Sequence, residues 1–309
     1  MSKKLNKIIL LLLLLNASFI GAQETNENNT DIPVKAKGFH FGLYIGSYFA
    51  NKYTASLYDG YGYDIDGKRN SFLNSFMYNK IILEYGGGYP GTVDQVAQAL
   101  NVDPGAWNFS ESDMPVNMKY VPSFYLGLQS RYTVDKKNAI LINVNAAKIN
   151  ISGNFTITTT PVSGSTQINK AIRTFAIKGE EQRLILQFGY NRILGDNEKV
   201  NFYVEGGLNI TLTKFSKNDI LINNETTSTS LHIDLTASYS SINGYGAYVT
   251  KKPIGTGFGL FSGLGVNFTM SPSWTIQLGY NPSFERINIG ENPRLKLQHA
   301  VGIRAYYKF

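Results

Sequence analysis

The sequence predicts an all-β chain: eight antiparallel strands closed up-and-down into a membrane-spanning barrel, with long loops at one end. Three observations predict it. Apolar/polar alternation over about ten residues recurs eight times. The faces opposite the apolar ones carry Gly, Asn, hydroxyls and isolated charges, which suits a crowded lumen better than a solvated surface. Aromatic residues gather at one end of the apolar faces, as side chains anchored in a membrane interface do.

The chain of 309 residues opens with Lys3, Lys4 and Lys7 and the apolar run Ile8–Leu15. Gly21 and Ala22 then offer a small-residue cleavage site, so residues 1–22 read as an export signal. The run is too short to cross a bilayer as a helix, and no other stretch reaches 18 apolar residues. No Cys follows it for lipid attachment, and with Cys 0 no disulfide framework exists. Residues 23–37 are polar and Asn-rich and are expected to form a flexible periplasmic tail, leaving 38–309 for the barrel. Of the net charge of +7, the three leader lysines carry three units and leave about +4 on the mature chain. That balance does not point to nucleic acid. Mean hydropathy is slightly polar, as expected when lumen-facing polar residues offset lipid-facing apolar ones.

The first strand sets Phe39, Phe41, Leu43 and Ile45 against His40, Gly42, Tyr44 and Gly46. The second sets Phe124, Leu126 and Leu128 against Tyr125, Gly127, Gln129 and Arg131, and the third Ile140, Ile142 and Val144 against Asn143 and Asn145. In the fourth, Leu184, Leu186, Phe188 and Tyr190 oppose Arg183, Gln187, Gly189 and Asn191. In the fifth, Phe202, Val204, Leu208, Ile210 and Leu212 oppose Tyr203, Glu205, Gly207, Asn209 and Thr211. The sixth sets Phe258, Leu260, Leu264, Val266 and Phe268 against Gly257, Gly259, Gly263, Gly265 and Asn267. The seventh places Trp274, Ile276, Leu278 and Tyr280 opposite Thr275, Gln277 and Gly279. The eighth places Leu297, Val301, Ile303, Tyr307 and Phe309 opposite Gln298, Gly302, Arg304 and Tyr306. Tyr132, Tyr190, Phe202, Phe268, Trp274 and Tyr307 form the expected girdle.

Short turns at 133–138, 194–199 and 270–273 go to the periplasm with both termini. The connections 50–119, 152–181, 216–256 and 282–294 are then extracellular. The first is far longer than strand closure needs, so internal structure is expected. Thr92 with Gln95 three residues on marks a helix start, and Val93, Val96, Ala97 and Leu100 supply an apolar stripe, giving a short helix over 93–101. Phe76–Tyr85 is a candidate strand outside the membrane. In the third loop, Ile220–Ile222 and Leu231–Leu235 flank the polar run Asn223–Ser230 and suggest a hairpin.

The ending Val301-Gly-Ile-Arg-Ala-Tyr-Tyr-Lys-Phe309 resembles the C-terminal signal of bacterial outer-membrane proteins. The leader ending Gly-Ala-Gln-Glu on a Lys- and Asn-rich chain resembles the Bacteroidetes group. As an architecture, the chain resembles small eight-stranded barrels of the OmpX type and the OmpA membrane domain. The resemblance implies residence in the cell outer membrane among its lipids, with no further domain after the eighth strand.

Chemistry is sparser. Glu205 is the one acidic lumen residue assigned to the span, and Arg131 and Arg304 lie at similar heights. A buried carboxylate needs a partner, so the three are expected to form an ion cluster that plugs the lumen. Eight strands enclose a space only wide enough for side chains. His232 and Asp234 share one face of a candidate strand, and His299 sits on the outward face of the eighth; they are the residues a rim enzyme would use. Asp59, Asp64 and Asp66 do not have the spacing of an EF-hand, and neither metal nor cofactor is expected. Tyr58, Tyr61, Tyr63, Trp107 and Phe109 in the first loop are candidate contact residues, since aromatics give contact area at low entropic cost. The leading expectation is a non-enzymatic surface barrel whose loops, chiefly the first, bind a partner: another envelope protein or a surface ligand. A rim enzyme acting on lipid or peptide, or a narrow channel, is the alternative.

Overall fold

The computed structural model describes residues 38–63, 68–160, 171–223, 229–242, 245–250, 254–288 and 294–308. The leader, the tail, Asp64, Asp66 and Phe309 lie outside the described residues.

Eight long strands follow one another: β1 (Gly38–Phe49), β2 (Ser123–Thr133), β3 (Asn138–Thr159), β4 (Ala171–Leu194), β5 (Val200–Asn223), β6 (Ile254–Thr269), β7 (Trp274–Ile287) and β8 (Leu295–Lys308). Each pairs antiparallel with the next, and β1 pairs with β8 from His40↔Lys308 to Phe49↔His299, so the sheet closes on itself. Closure leaves no free ladder edge in the ring, which a lipid environment demands because nothing there hydrates an open N–H.

Around the lower part of the ring the faces obey the period-2 pattern. Leu43, Ile45, Leu126, Ile142, Phe202, Leu208, Leu260, Leu278 and Ile303 all point outward and are exposed. Phe202 reaches 65% exposure and Leu208 60%, values that make sense only against lipid. Tyr132, Tyr190, Phe202, Phe268, Trp274 and Tyr307 lie in the strand ends nearest the short turns, spread over several register rows; Trp274 meets Tyr307 at 5.2 Å and Tyr132 meets Phe39 at 4.8 Å. Inside, Tyr44, Gln129, Asn143, Asn145, Gln187, Asn209 and Gln277 are buried among hydrogen bonds such as Gln129 Nε2 to Asn145 Oδ1 (2.8 Å) and Gln277 Nε2 to Asn267 Oδ1 (3.0 Å).

Three strands outgrow the membrane. β3, β4 and β5 run 22, 24 and 24 residues, against 11 to 16 for the others. At about 3.3 Å per residue their upper halves stand well clear of a hydrocarbon core. The intervals 152–181 and 216–256 are therefore largely strand, not loop. Neither side of this extension is left as a bare ladder edge. Lys119–Tyr120 and Trp107–Asn108, from the first loop, pair with β3 at Ile151–Ser152 and Thr158–Thr159. Ser230–Asp234 pairs with β5 at Asp219–Asn223, which is the expected third-loop hairpin. A second hairpin joins Ala237–Ile242 to Tyr245–Thr250.

The first loop is a folded cap on the inner face of this extension. It contains a 3₁₀ turn at Lys52–Tyr58, a helical stretch from Phe76 to Glu84 with a π-helical second part, and a helix α1 (Gln95–Leu100). The stretch 76–85 is thus not a strand: Ser75 caps it through Tyr78 N, and Met77 and Ile81 point into the core on one side, a helical spacing. The expected helix forms, but Asp94 caps it instead of Thr92, its Oδ1 accepting Ala97 N–H at 2.8 Å. Asn101 closes it in the left-handed region (φ 53°). Val96, Ala99 and Leu100 of α1 join Tyr58, Met77, Ile81, Phe109 and Met114 in one apolar core with Ile151, Phe155 and Ile157 of β3, Phe175 and Ile177 of β4, and Phe215, Ile220 and Ile222 of β5.

Candidate functional site

Two places can carry function: the lumen and the cap. The lumen is filled. At the lower level Arg304 clamps Glu205 with two bonds, Nη1 to Oε2 at 2.6 Å and Nη2 to Oε1 at 2.7 Å, and Asn281 Nδ2 donates to the same carboxylate at 2.5 Å. A fork-to-fork pair is the strong form of this interaction. The expected third member is placed differently. Arg131 does not bond Glu205; its guanidinium lies over the Tyr306 ring at 4.5 Å and 3.4 Å from Nδ1 of His40. The carboxylate is already occupied by Arg304, so Arg131 is held by ring and imidazole contacts.

Glu205 is also not alone. Glu285 points inward higher up and accepts from Tyr48 Oη (3.0 Å), Asn209 Nδ2 (2.8 Å) and Thr211 Oγ1 (2.5 Å). Above it Arg183 and Glu181, both buried, meet at 2.5 Å. Arg183 donates to Tyr48 Oη at 3.0 Å, and Glu181 accepts from Tyr120 Oη (2.9 Å) and Tyr58 Oη (3.1 Å). Glu181 and Glu285 lie in segments expected to be loops, so their lumen role was hidden. The cavity left between Tyr44, Tyr48, Tyr125, Asn145 and Arg304 is about 10 Å³, room for roughly one water.

This upper network also seats the cap. Tyr58 stacks on Phe215 at 4.5 Å with near-parallel rings, and its hydroxyl reaches Glu181. It lies over Gly179, where a Cβ would come within 2.3 Å of the ring, so only glycine admits it. Burial beside Glu181 pushes the Tyr58 hydroxyl well above its ordinary range, so it donates and stays neutral. Asp59 follows, buried, accepting from Arg69 Nη2 at 2.6 Å and from Tyr61 N–H at 3.0 Å; desolvation raises its carboxyl above the usual value despite both bonds.

The aromatic contact candidates are consequently interior groups. Tyr58 is fully buried, Tyr61 9% and Phe109 4% exposed; Tyr63 and Trp107 are partly buried against the same core. In this conformation the rings cover the inside of the cap instead of its surface. Burial of this kind needs the tertiary contacts of β3–β5, which no local pattern reveals. Asp59, one of the three carboxylates weighed for calcium, is occupied by Arg69.

What the cap does present is a cleft of about 530 Å³, lined chiefly by Ile82, Gly86–Gly88, Val93, Gln98, Val102 and Trp107. The volume falls in the range of small-molecule or side-chain pockets. Its wall is cross-linked: Asp94 Oδ2 accepts the Trp107 indole N–H at 2.9 Å and Gly105 N–H at 3.2 Å. The enzyme candidates do not converge. His232 Nε2 lies 3.0 Å from Asp219, and not from Asp234, on the hairpin beside β5. His299 bonds Tyr280 at 2.6 Å on β8, three strands away around the ring. Among the described residues no cluster of three or more His, Cys, Asp or Glu is placed to hold a metal.

No protein-family model matches the chain, and no curated protein matches it. Solved structures similar to it are outer-membrane or surface proteins. Neisserial surface protein A is 7% identical with a TM-score of 0.37, over 88% of this chain and 96% of that one. Ail, the attachment invasion locus protein of Yersinia pestis, solved with the heparin analogue sucrose octasulfate, is 12% identical with a TM-score of 0.35, over 88% and 99%. The outer membrane protein OprG from Pseudomonas aeruginosa is 11% identical with a TM-score of 0.37, over 88% and 96%. None of these supports the Bacteroidetes resemblance of the leader. The closed ring and its lipid-facing belt by themselves make this chain a membrane-spanning β-barrel of the outer-membrane type.

Proposed function

We propose that the protein is a non-enzymatic surface barrel that binds a partner through its cap, either another envelope protein or a surface ligand. One observation carries the reading: the interior is closed by three stacked polar networks, while the first loop, in place of a strand connection, is a folded cap with its own core and a preformed cleft. The side-chain networks that fill the lumen favour recognition over permeation. Recognition has a water-facing surface, with Val93 exposed on the cleft wall and Tyr89 exposed next to Gly88 of the same wall.

The test is complementation of a null strain at equal barrel abundance. Substituting Val93→Arg with Gln98→Arg, both on the cleft wall and neither in the core, is expected to leave a heat-modifiable barrel and fail to restore the phenotype. Full restoration would overturn the proposal. Deleting the loop outright is a poorer test, because it would bare Ile151, Phe155, Ile177 and Ile220, which the loop covers.

A further inference from the structure

We propose that the outward face of β3–β5, just above the apolar belt, binds the phosphate of an anionic lipid headgroup. The belt ends on these strands at Ala146, Leu184 and Leu212, which face each other in register. The next outward row is Lys148, Gln182 and Lys214, again directly paired: Lys148↔Gln182 and Gln182↔Lys214. Lys217 and Lys178 follow within the next two rows, facing Glu180 and Asp219. Neighbouring strands are about 5 Å apart, so these cations share one headgroup-sized patch.

The lysines cluster in this sector; outside it the cation at the same height is Arg286, exposed on β7 beside Phe258. Elsewhere the top of the belt is marked by Phe49, Phe124, Phe258 and Phe284, all exposed. Two lysines are partly spoken for, Lys148 by Glu180 at 2.8 Å and Lys217 by Asp219. Among the described residues Lys178 and Lys214 have no ion-pair partner, and both are exposed. On these rows Glu180, Asp219 and Asp234, which pairs with Asp219, face Lys148, Lys178, Lys214, Lys217 and Lys119, which pairs with Ser152 beside Lys178, so three acids stand against five lysines. At this height the barrel must touch headgroups, because the outward residues one row below meet hydrocarbon. A row of Lys, an amide and Lys there offers charge and hydrogen-bond donors to a phosphate, and offers nothing to an acyl chain. The placement in the outer leaflet rests on the cap being extracellular; the lipid chemistry does not.

The experiment places the full chain in phosphatidylcholine nanodiscs, with and without a minor fraction of diphosphorylated lipid A, and measures retained lipid by native mass spectrometry. The wild type is expected to retain the phosphorylated lipid and not its dephosphorylated form. The variant K148Q/K178Q/K214Q is expected to bind it on the order of 100-fold more weakly, from about a five-fold loss per lysine. K178Q/K214Q, which leaves the Lys148–Glu180 pair intact, should show an intermediate loss while keeping heat-modifiable folding. Equal retention by wild type and variants overturns the proposal. So does displacement of the lipid by inorganic phosphate, which would make this a free-anion site. Protease shaving of the cap on intact cells reports orientation separately, so a failure there is distinguishable from a failure of lipid binding.

Discussion

The lower and upper halves of β3, β4 and β5 share one hydrogen-bonded ladder, with a single register shift against β5 between Glu180 and Glu181, and opposite chemistry. On β3, Ile140, Ile142 and Val144 face outward and Asn143 and Asn145 inward; twelve residues higher, Asn154 and Thr156 face outward and Phe155 and Ile157 inward. On β4 the outward face turns from Leu184 to Gln182 and the inward face from Asn191 and Gln187 below to Ile177 and Phe175 above, with Glu181 and Arg183 at the crossing. The backbone stays extended strand on both sides; what lies outside it changes. Below the crossing lipid surrounds the strands and polar groups must hide together inside. Above it water surrounds them and the apolar groups hide beneath the cap. The buried Glu181–Arg183 pair, bonded from both halves, sits where the two kinds of interior meet.

That contrast can be broken from below with the largest effect. Glu205→Ala leaves Arg304 buried without its clamp and should cost about 3–5 kcal/mol. In detergent the heat-modifiable barrel transition should move sharply down while near-ultraviolet signals from the cap follow it. An unshifted transition would mean that the lower network does not hold the barrel. Breaking it from above should be local. Ile177→Ala, in the cap core, should cost about 3 kcal/mol, seen as faster proteolysis of the first loop with the barrel transition kept. Cooperative loss of both would show that the halves are one unit.

The reversal itself can be sharpened by paired substitutions on a single face of β3. Ile142→Lys meets hydrocarbon and should cost about 2–4 kcal/mol, whereas Asn154→Lys meets water and should fall within about 0.5 kcal/mol. Equal costs in lipid vesicles would place the crossing elsewhere. The smallest effect concerns protons. Burial raises the Asp59 carboxyl above 3.8, so its contribution favours folding at low pH and is lost as pH rises through the folded value. In the short turn, the Asn138 side chain and the Lys137 amide hold Asp135 below 3.8, so its contribution is present at higher pH and is lost as pH falls below about 4. Amide protection near Tyr61 should therefore rise on acidification while that of Lys137 and Asn138 falls. The same sign at both places would refute the assignment.

Much of the ring was legible in the sequence because each membrane face is set by a local rule, alternation against lipid. Leu126, Ile142, Leu208 and Ile303 needed only their own neighbours to be placed. The candidate site was legible only in part. Glu205 and Arg304 announced themselves as lone charges on a polar face. Glu181 and Glu285 did not, because they fall where the alternation changes phase. In β3 the apolar residues move from even positions at Ile140–Val144 to odd positions at Ile149–Ile157, and a phase change reads as the end of a strand. The extensions thus read as loops in the sequence, and the aromatics Tyr58, Tyr61 and Phe109 as surface groups.

By itself the sequence determined the membrane-spanning part of the strands and their inward and outward faces there, since each depends on contacts between residues near in the chain and a uniform solvent. Only the tertiary structure decided which acid meets which arginine, that the first loop folds into a cap, and that Trp107 walls a cleft while Tyr58 does not. Those outcomes depend on residues more than a hundred positions apart, such as Tyr58 and Glu181, brought together by closure of the ring.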